Sequence, residues 1–248
     1  MLNIALIGYG KMGRMLHSLA EANGCCVKAI IDPALPEHSA RIEADVLREV
    51  EVCLDFTHPD MVMDNIRQLA ALQKNMVIGT TGWYQQMDEV EKLAAEHRIG
   101  IVYGANFSIG MNLFDRILAH ATDLMDKFRA YDVWGLEMHH NQKADSPSGT
   151  AIQLANTIIK HHGVKEKAVF EKVDYVIRPE ELHFASVRSG SIPGVHRIGF
   201  DSDADSITLE HSIRNRSGLA LGALEAALWV QGKKGFYSFN QMMDERLC

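Results

Sequence analysis

The sequence has little that would carry the protein to nucleic acid, to a membrane or into an oxidising compartment. Its formal net charge is -7 over 248 residues, whereas a nucleic-acid binder normally presents a basic face. A negative total does not exclude an acidic substrate, because a few local cations can outweigh it. Four cysteines, Cys25, Cys26, Cys53 and Cys248, show neither C-x-x-C spacing nor the pattern of a disulfide framework. The adjacent Cys25 and Cys26 read as small hydrophobes opening a strand rather than as a ligand pair. The opening MLNIALIGYG carries no basic leader, and its apolar run stops at Gly8, too short for a signal peptide or a membrane span. A reducing cytoplasm is the expected setting. Internal repeats and low-complexity segments are also lacking, and the apolar and charged fractions are those of an ordinary globular chain, long enough for one large core or two modest ones.

What is present first is an alternation. Leu2 to Ile7 is apolar apart from Asn3, as a strand buried on both faces would be. Met12, Met15, Leu16 and Leu19 then recur at helical spacing. CVKAII ending at Ile31, Val52 to Phe56, NMVIG, and Ile99 to Tyr103 read as further strands. Helices are expected between them, over 60–73 and 84–96. Such alternation implies parallel pairing with helices on both faces. After Phe107 the rhythm changes: a helix from Met111 to about Met125, an apolar stretch from Tyr131 to Met138, then a helix capped by Ser148 that carries Ala151, Leu154, Ala155 and Ile158. LHFASVRS, HRIGFD and SITLEHSI read as strands, and Leu219 to Gln231 as a last helix, apolar on most sides. Parallel α/β followed by a β-rich segment suggests two domains.

GYGKMG, Gly8 to Gly13, fits G-x-G-x-x-G between a strand and a helix. Gly10 lets backbone approach a pyrophosphate, and the helix N-terminus offers unpaired N–H groups. Asp32 ends the second strand, where an acid can bond the adenine ribose hydroxyls. Together these point to a dinucleotide. Asp32 would repel a 2′-phosphate and so favours NADH, although Lys11, inside the loop, could reach such a phosphate and leaves NADPH open. Two more loops end strands on the same edge: Gly79 to Gly82, and Gly104 to Gly110. Small residues there would let a nicotinamide lie close to backbone, with Phe107 as an apolar wall.

The stretch HHNQKADSPSGT, His139 to Thr150, carries a different chemistry. Lys143 suits an anionic substrate, and His139 or His140 could deliver a proton near neutral pH. Adjacent residues of an extended segment face opposite sides, so one histidine at most meets a given ligand. Ser148, Gly149 and Thr150, at a helix start, offer N–H groups and hydroxyls to a carboxylate. A zinc site of Glu137, His139 and Asp145 fits no standard ligand spacing, and no metal is expected.

Glu137 to Ala151, EMHHNQKADSPSGTA, resembles the signature of the dihydrodipicolinate reductase (4-hydroxy-tetrahydrodipicolinate reductase) family of the lysine and diaminopimelate pathway. The pattern is a Glu, a His two on, a Lys four further, then D-x-P-S-G-T-A. DFT at Asp55, GTTG at Gly79, NFSIG at Asn106 and RSGSIPGVH from Arg188 to His196 match further family motifs in order, so the resemblance covers nearly the whole chain. It implies an α/β fold: a Rossmann-type parallel-sheet domain over 1–107 and 216–248 that binds the dinucleotide, and an α+β domain with a β-rich sheet over 108–215 for substrate binding and oligomerisation. It implies NAD(P)H-dependent reduction of a cyclic 4-hydroxy dicarboxylate, with loss of water, to tetrahydrodipicolinate. His139 would be the general acid/base and Lys143 the cation linked to protonation, with His140, Ser148, Gly149 and Thr150 holding carboxylates. Gly8, Tyr9, Gly10, Lys11, Met12, Gly13, Asp32, Phe56, Gly79, Thr80, Thr81, Gly104, Ala105, Asn106 and Phe107 would line the cofactor. A cytoplasmic homotetramer is implied too.

The chain departs from that pattern in places. Asn141-Gln142 stand where some members carry Arg-His, Trp134 and Gly135 where the signature expects an acid and a β-branched residue, and the segment from Asp32 to Val52 is short. Two other readings share parts of the sequence. A dehydrogenase of another small amino or oxo acid would keep the glycine loop without needing Glu137 to Ala151. A non-catalytic NADH sensor would not need His139 and Lys143 together.

Overall fold

The computed structural model describes residues 1–247. The chain divides into two compact units, Met1–Ile109 with the segment from Arg216 onward, and Gly110–Asn215. In chain order come β1 (Leu2–Ile7), α1 (Lys11–Ala20), β2 (Cys25–Ile31), β3 (Val52–Asp55), α2 (Pro59–Ala71), β4 (Asn75–Ile78), α3 (Met87–His97) and β5 (Gly100–Tyr103). They are followed by α4 (Ile109–Met125), β6 (Asp132–His139), α5 (Gly149–His161), β7 (Lys167–Val169), β8 (Glu181–Arg188), β9 (Val195–Asp201) and β10 (Ser206–Ser212). The chain then returns to the first unit with α6 (Ser217–Val230), β11 (Gly235–Ser238) and α7 (Phe239–Leu247).

The first unit is a six-stranded parallel sheet in the order β11-β5-β4-β3-β1-β2. Its central strands are apolar on both faces because helices cover both: Ile4, Leu6, Val52, Leu54, Met76 and Val77 are fully buried. Each such side chain contributes about 1.5–3 kcal/mol on leaving water. The strand order reverses at β1, between β3 and β2, which puts a crevice beyond the carboxyl ends of β1 and β3. Cys25, which opens β2, and Cys53 on β3 are buried free thiols, pushed up to about 11 and about 12 chiefly by burial, so both serve as packing atoms. The sixth strand, β11, was not read from the sequence; it pairs with β5 from Gly235↔Gly100 to Ser238↔Tyr103. In α6, Gly222 packs against Phe107, whose carbonyl oxygen would lie 1.8 Å from any Cβ placed there. The segment expected as one helix from Tyr84 begins instead as a 3₁₀ turn, Tyr84–Gln86, with buried Trp83 donating its Nε1–H to Thr80 O at 2.8 Å just before it.

The second unit is a mixed five-stranded sheet, β10-β9-β6-β8-β7, antiparallel on the β10 side of β6 and parallel on the other. Alternate residues of β6 (Val133, Gly135, Glu137, His139) are buried, while Asp132 and Trp134 are exposed and Leu136 and Met138 half-buried. Leu118 of α4 and Leu154, Ala155 and Ile158 of α5 join Phe184, Ile198 and Phe200 in the core on the buried face. The departures at Trp134 and Gly135 have a packing explanation. Gly135 pairs with Phe184, whose ring would come within 2.3 Å of a Cβ at 135. Trp134 pairs with Gly199, and its indole lies where a Cβ at 199 would be, 2.2 Å away. Each large ring covers a glycine on the neighbouring strand.

Candidate active site

The chemistry-bearing residues of the second unit meet because β6 is the middle strand. Its register sets Glu137 opposite Ser186 on β8 and His196 on β9, and His139 opposite Arg188. Residues two apart on a strand share a face, so Glu137 and His139 both point inward. Glu137 is fully buried, which is costly for a carboxylate without partners. Its Oε1 accepts from Ser148 N at 2.9 Å, Ser186 Oγ at 2.8 Å and Arg188 Nη2 at 2.7 Å. Burial pushes its pKa up, but these donors outweigh that and hold it down at about 2. It is therefore ionised at neutral pH.

His139 Nδ1 lies 2.9 Å from the other oxygen, Oε2, and His196 Nε2 lies 3.8 Å from the same atom. The two rings meet edge to face with centroids 5.3 Å apart. Burial lowers the His139 pKa, the Glu137 charge opposes this, and Lys143 and Arg188 add to the lowering. His196, more deeply set, is pulled down to about 4 by burial and by His139. Gly194 matters here: its φ of +151° suits glycine, and a Cβ would stand 3.1 Å from His139 Nε2. The missing side chain keeps that nitrogen clear.

Ser148 caps α5, its Oγ accepting from Ala151 N at 3.1 Å, and its own N–H is held by Glu137. Gly149, next on the helix, has open space where a side chain would go, and Thr150 is half-buried beside it. That leaves the positive end of α5 accessible to an anion. Lys143 Nζ donates to both oxygens of Asp145, at 2.7 and 2.8 Å. This pair is partly exposed, so an external anion could compete with Asp145 for Lys143 at small cost. His140 is half-buried, and its carbonyl accepts from Lys143 N at 3.2 Å in a turn. Asp145, paired with Lys143, is not part of the Glu137–His139 cluster.

In the first unit, Gly8 takes a φ of +87°, and Gly13 packs so closely that a Cβ would lie 2.3 Å from Gly8 O. Gly10 caps α1 with open space around its Cα, no side chain caps the helix and no acid lies in its first turn. The first-turn N–H groups are thus free of side-chain acceptors, as a pyrophosphate requires. Asp32 accepts from Tyr9 N at 2.8 Å and Ala34 N at 3.0 Å, which fixes its carboxylate at the end of β2. A cavity of about 700 Å³ runs past Gly8, Gly10, Asp32, Arg41, Phe56 and His58. These residues fit a dinucleotide. Lys11 and Met12 follow at the start of α1, Lys11 exposed and Met12 half-buried. Phe56 lies against Gly79, its Cε1 2.0 Å from where a Cβ would sit, and its ring is 6.1 Å from that of Phe107. Gly104 fits beneath Phe107 and Phe239. Thr80 is buried and donates its hydroxyl to Asp55 at 2.8 Å, so it braces the loop, while Thr81 and Ala105 are exposed. Asn106 Oδ1 accepts from Ser108 N at 2.9 Å.

Ser186, Arg188 and His196 were given no role from the sequence, although two of them lie in the quoted RSGSIPGVH. Arg41 was missed as well; nothing in its local pattern marks it, and only the fold brings it to the cavity that holds Asp32.

Comparison with known proteins agrees with this arrangement. The family model for the N-terminus of dihydrodipicolinate reductase matches residues 2–107, and that for its C-terminus matches 110–243. A 4-hydroxy-tetrahydrodipicolinate reductase of Rickettsia bellii is 34% identical over 96% of this chain and 92% of its own. One of Christiangramia forsetii is 29% identical over 98% of both chains. A dipicolinate-bound dihydrodipicolinate reductase from Paenisporosarcina sp. TG-14 superposes with a TM-score of 0.77 at 25% identity, covering 97% of this chain and 98% of that one. With both halves matched in order and relatives aligned end to end, the chain belongs to the dihydrodipicolinate reductase family.

Proposed function

We propose that this protein is a 4-hydroxy-tetrahydrodipicolinate reductase, reducing the cyclic 4-hydroxy dicarboxylate to tetrahydrodipicolinate with loss of water. The observation that carries the reading is the buried Glu137–His139 pair beside the open N-terminus of α5 and the Lys143–Asp145 pair. A nicotinamide dinucleotide supplies the hydride. His139, with Nε2 kept clear by Gly194, holds the proton that balances hydride addition. Lys143 leaves Asp145 to meet one substrate carboxylate, and Gly149 and Thr150 at the α5 terminus take the other, with His140 beside them. The substrate's negative charges would raise the His139 pKa towards neutrality and so load its proton on binding.

The Asp32 carboxylate, held at the end of β2, favours NADH; Arg41 on the same cavity gives NADPH some compensation. On the open face of the second sheet, the β6–β8 part that bears Trp134, Leu136, Met138, Ala185 and Val187 is partly exposed and apolar, flanked by the Arg197–Glu210 ion pair, which supports a homotetramer assembled through that sheet. Among the described residues, no helix is long and apolar enough to cross a membrane, and a cytoplasmic biosynthetic role fits the free thiols.

The test is a coupled assay: substrate generated by the synthase from pyruvate and aspartate semialdehyde, with NADH and then NADPH, following reduced-cofactor absorbance. Rapid oxidation with either supports the function and ranks the two. No oxidation, in protein that binds NADH, would assign the His139 segment to another acid.

A further inference from the structure

Resting on His139 as the proton donor, we propose that Glu137 is its positioning residue, a fixed anion that selects the tautomer of His139 and leaves Nε2 to exchange protons. Three donors occupy Oε1, so the carboxylate cannot turn, and Oε2 is aimed at the histidine rings. Both Oε2 and His139 Nδ1 are buried without a hydrogen bond in line, although they lie 2.9 Å apart. Each is the other's nearest available partner, and a small turn of the ring aligns the N–H with the oxygen. Buried polar atoms are nearly always paired, so the Nδ1–H form of His139 is the one this pocket stabilises. Its lone pair, or the second proton of the imidazolium, then sits on Nε2, over Gly194.

The groups facing His139 come from every surrounding element: Glu137 on its own strand, Lys143 and Asp145 from the following loop, Arg188 from β8 and His196 from β9. Lys143 and Arg188 disfavour the imidazolium, and His196, pulled down to about 4, is neutral at physiological pH. Glu137 is the buried anion that offsets the two cations.

The experiment is NMR of the full chain with ¹⁵N-labelled histidine, using His139→Gln to assign the signals. In the unaltered protein His139 is expected as the Nδ1–H tautomer at neutral pH; an Nε2–H tautomer overturns the proposal, and this reading needs neither substrate nor a Glu137 variant. In Glu137→Gln the His139 pKa is expected to fall further, because the one buried charge that raises it is gone. In turnover, kcat should drop roughly 100-fold while KM stays within about threefold, and the alkaline limb of the pH profile, where the proton donor is lost, should move to lower pH with the pKa. Adding Glu137→Gln to His139→Gln should cost nothing further; an undiminished second loss would show that Glu137 acts elsewhere. Absence of turnover in the unaltered enzyme would count against the assigned reaction, while the tautomer and pKa would still decide the role of Glu137.

Discussion

Replacing Asp32 with Asn tests whether one carboxylate both shapes the glycine loop and chooses the cofactor. In the structure it accepts from two backbone amides, Tyr9 N and Ala34 N. Asn keeps one acceptor but turns an NH₂ towards the other amide, so one charge-assisted bond is lost and one donor is left facing a donor. Such a bond contributes about 1.5–3 kcal/mol, and the half-exposed setting cuts the stability loss to about 1–2 kcal/mol. The melting temperature should then fall by roughly 2–8 °C. For NADH, losing a charged acceptor for a ribose hydroxyl predicts a Kd about 10- to 100-fold weaker. NADPH loses the same acceptor but also the repulsion of its 2′-phosphate, so its Kd should stay within about threefold. Fluorescence titration with each reduced cofactor measures both. If the ratio of the two Kd values stays within about twofold of the unaltered protein, Asp32 does not read the ribose, and the NADH preference loses its basis.

The remaining outcomes follow from other contacts. Lys143→Ala should lower kcat/KM about 100-fold with NADH affinity within about twofold; equal losses in a cofactor titration would remove Lys143 from the substrate site. Gly222→Ala puts a Cβ 1.8 Å from Phe107 O and should cost about 3 kcal/mol or more, read by chemical denaturation; unchanged stability would mean α6 can shift freely. Stability should also fall with acid in two stages. His196 drops from 6.5 unfolded to about 4 folded, so the unfolded chain gains the proton first and roughly 3 kcal/mol is lost from pH 6.5 down to 4. Glu137, held at about 2, adds a stability that is full above 4.5 and lost as pH falls towards 2. Thermal melts across that range should flatten above pH 4 in His196→Asn, and an unchanged slope would contradict the buried neutral imidazole.

Much of the first sheet was legible because β1, β3, β4 and β5 are buried on both faces and so appear as short, nearly continuous apolar runs. β11 was not, since GFYS is half-buried throughout and shows no pattern; its strand form comes from pairing with β5. β7 has three residues and gave no signal for the same reason. In the site, Glu137, His139, Lys143 and Ser148 stood out because they lie within a dozen positions on one strand, its loop and the next helix. Arg188 and His196 belong to strands about fifty and sixty residues downstream, and only the β6 register places them on Glu137. Local spacing could not carry that information.

The two glycine–aromatic pairs of the second sheet also limit how this sequence can change. Gly135 can gain a side chain only after Phe184 has become smaller, and Gly199 only after Trp134 has. Either glycine replaced first meets a ring in place; either ring trimmed first leaves a gap beside bare backbone. The order of replacement is therefore constrained, and each intermediate is expected to be less stable than its endpoints. A chimera that takes β6 from a relative and keeps β8 and β9 would inherit both conflicts at once, so these strands must be exchanged as a block.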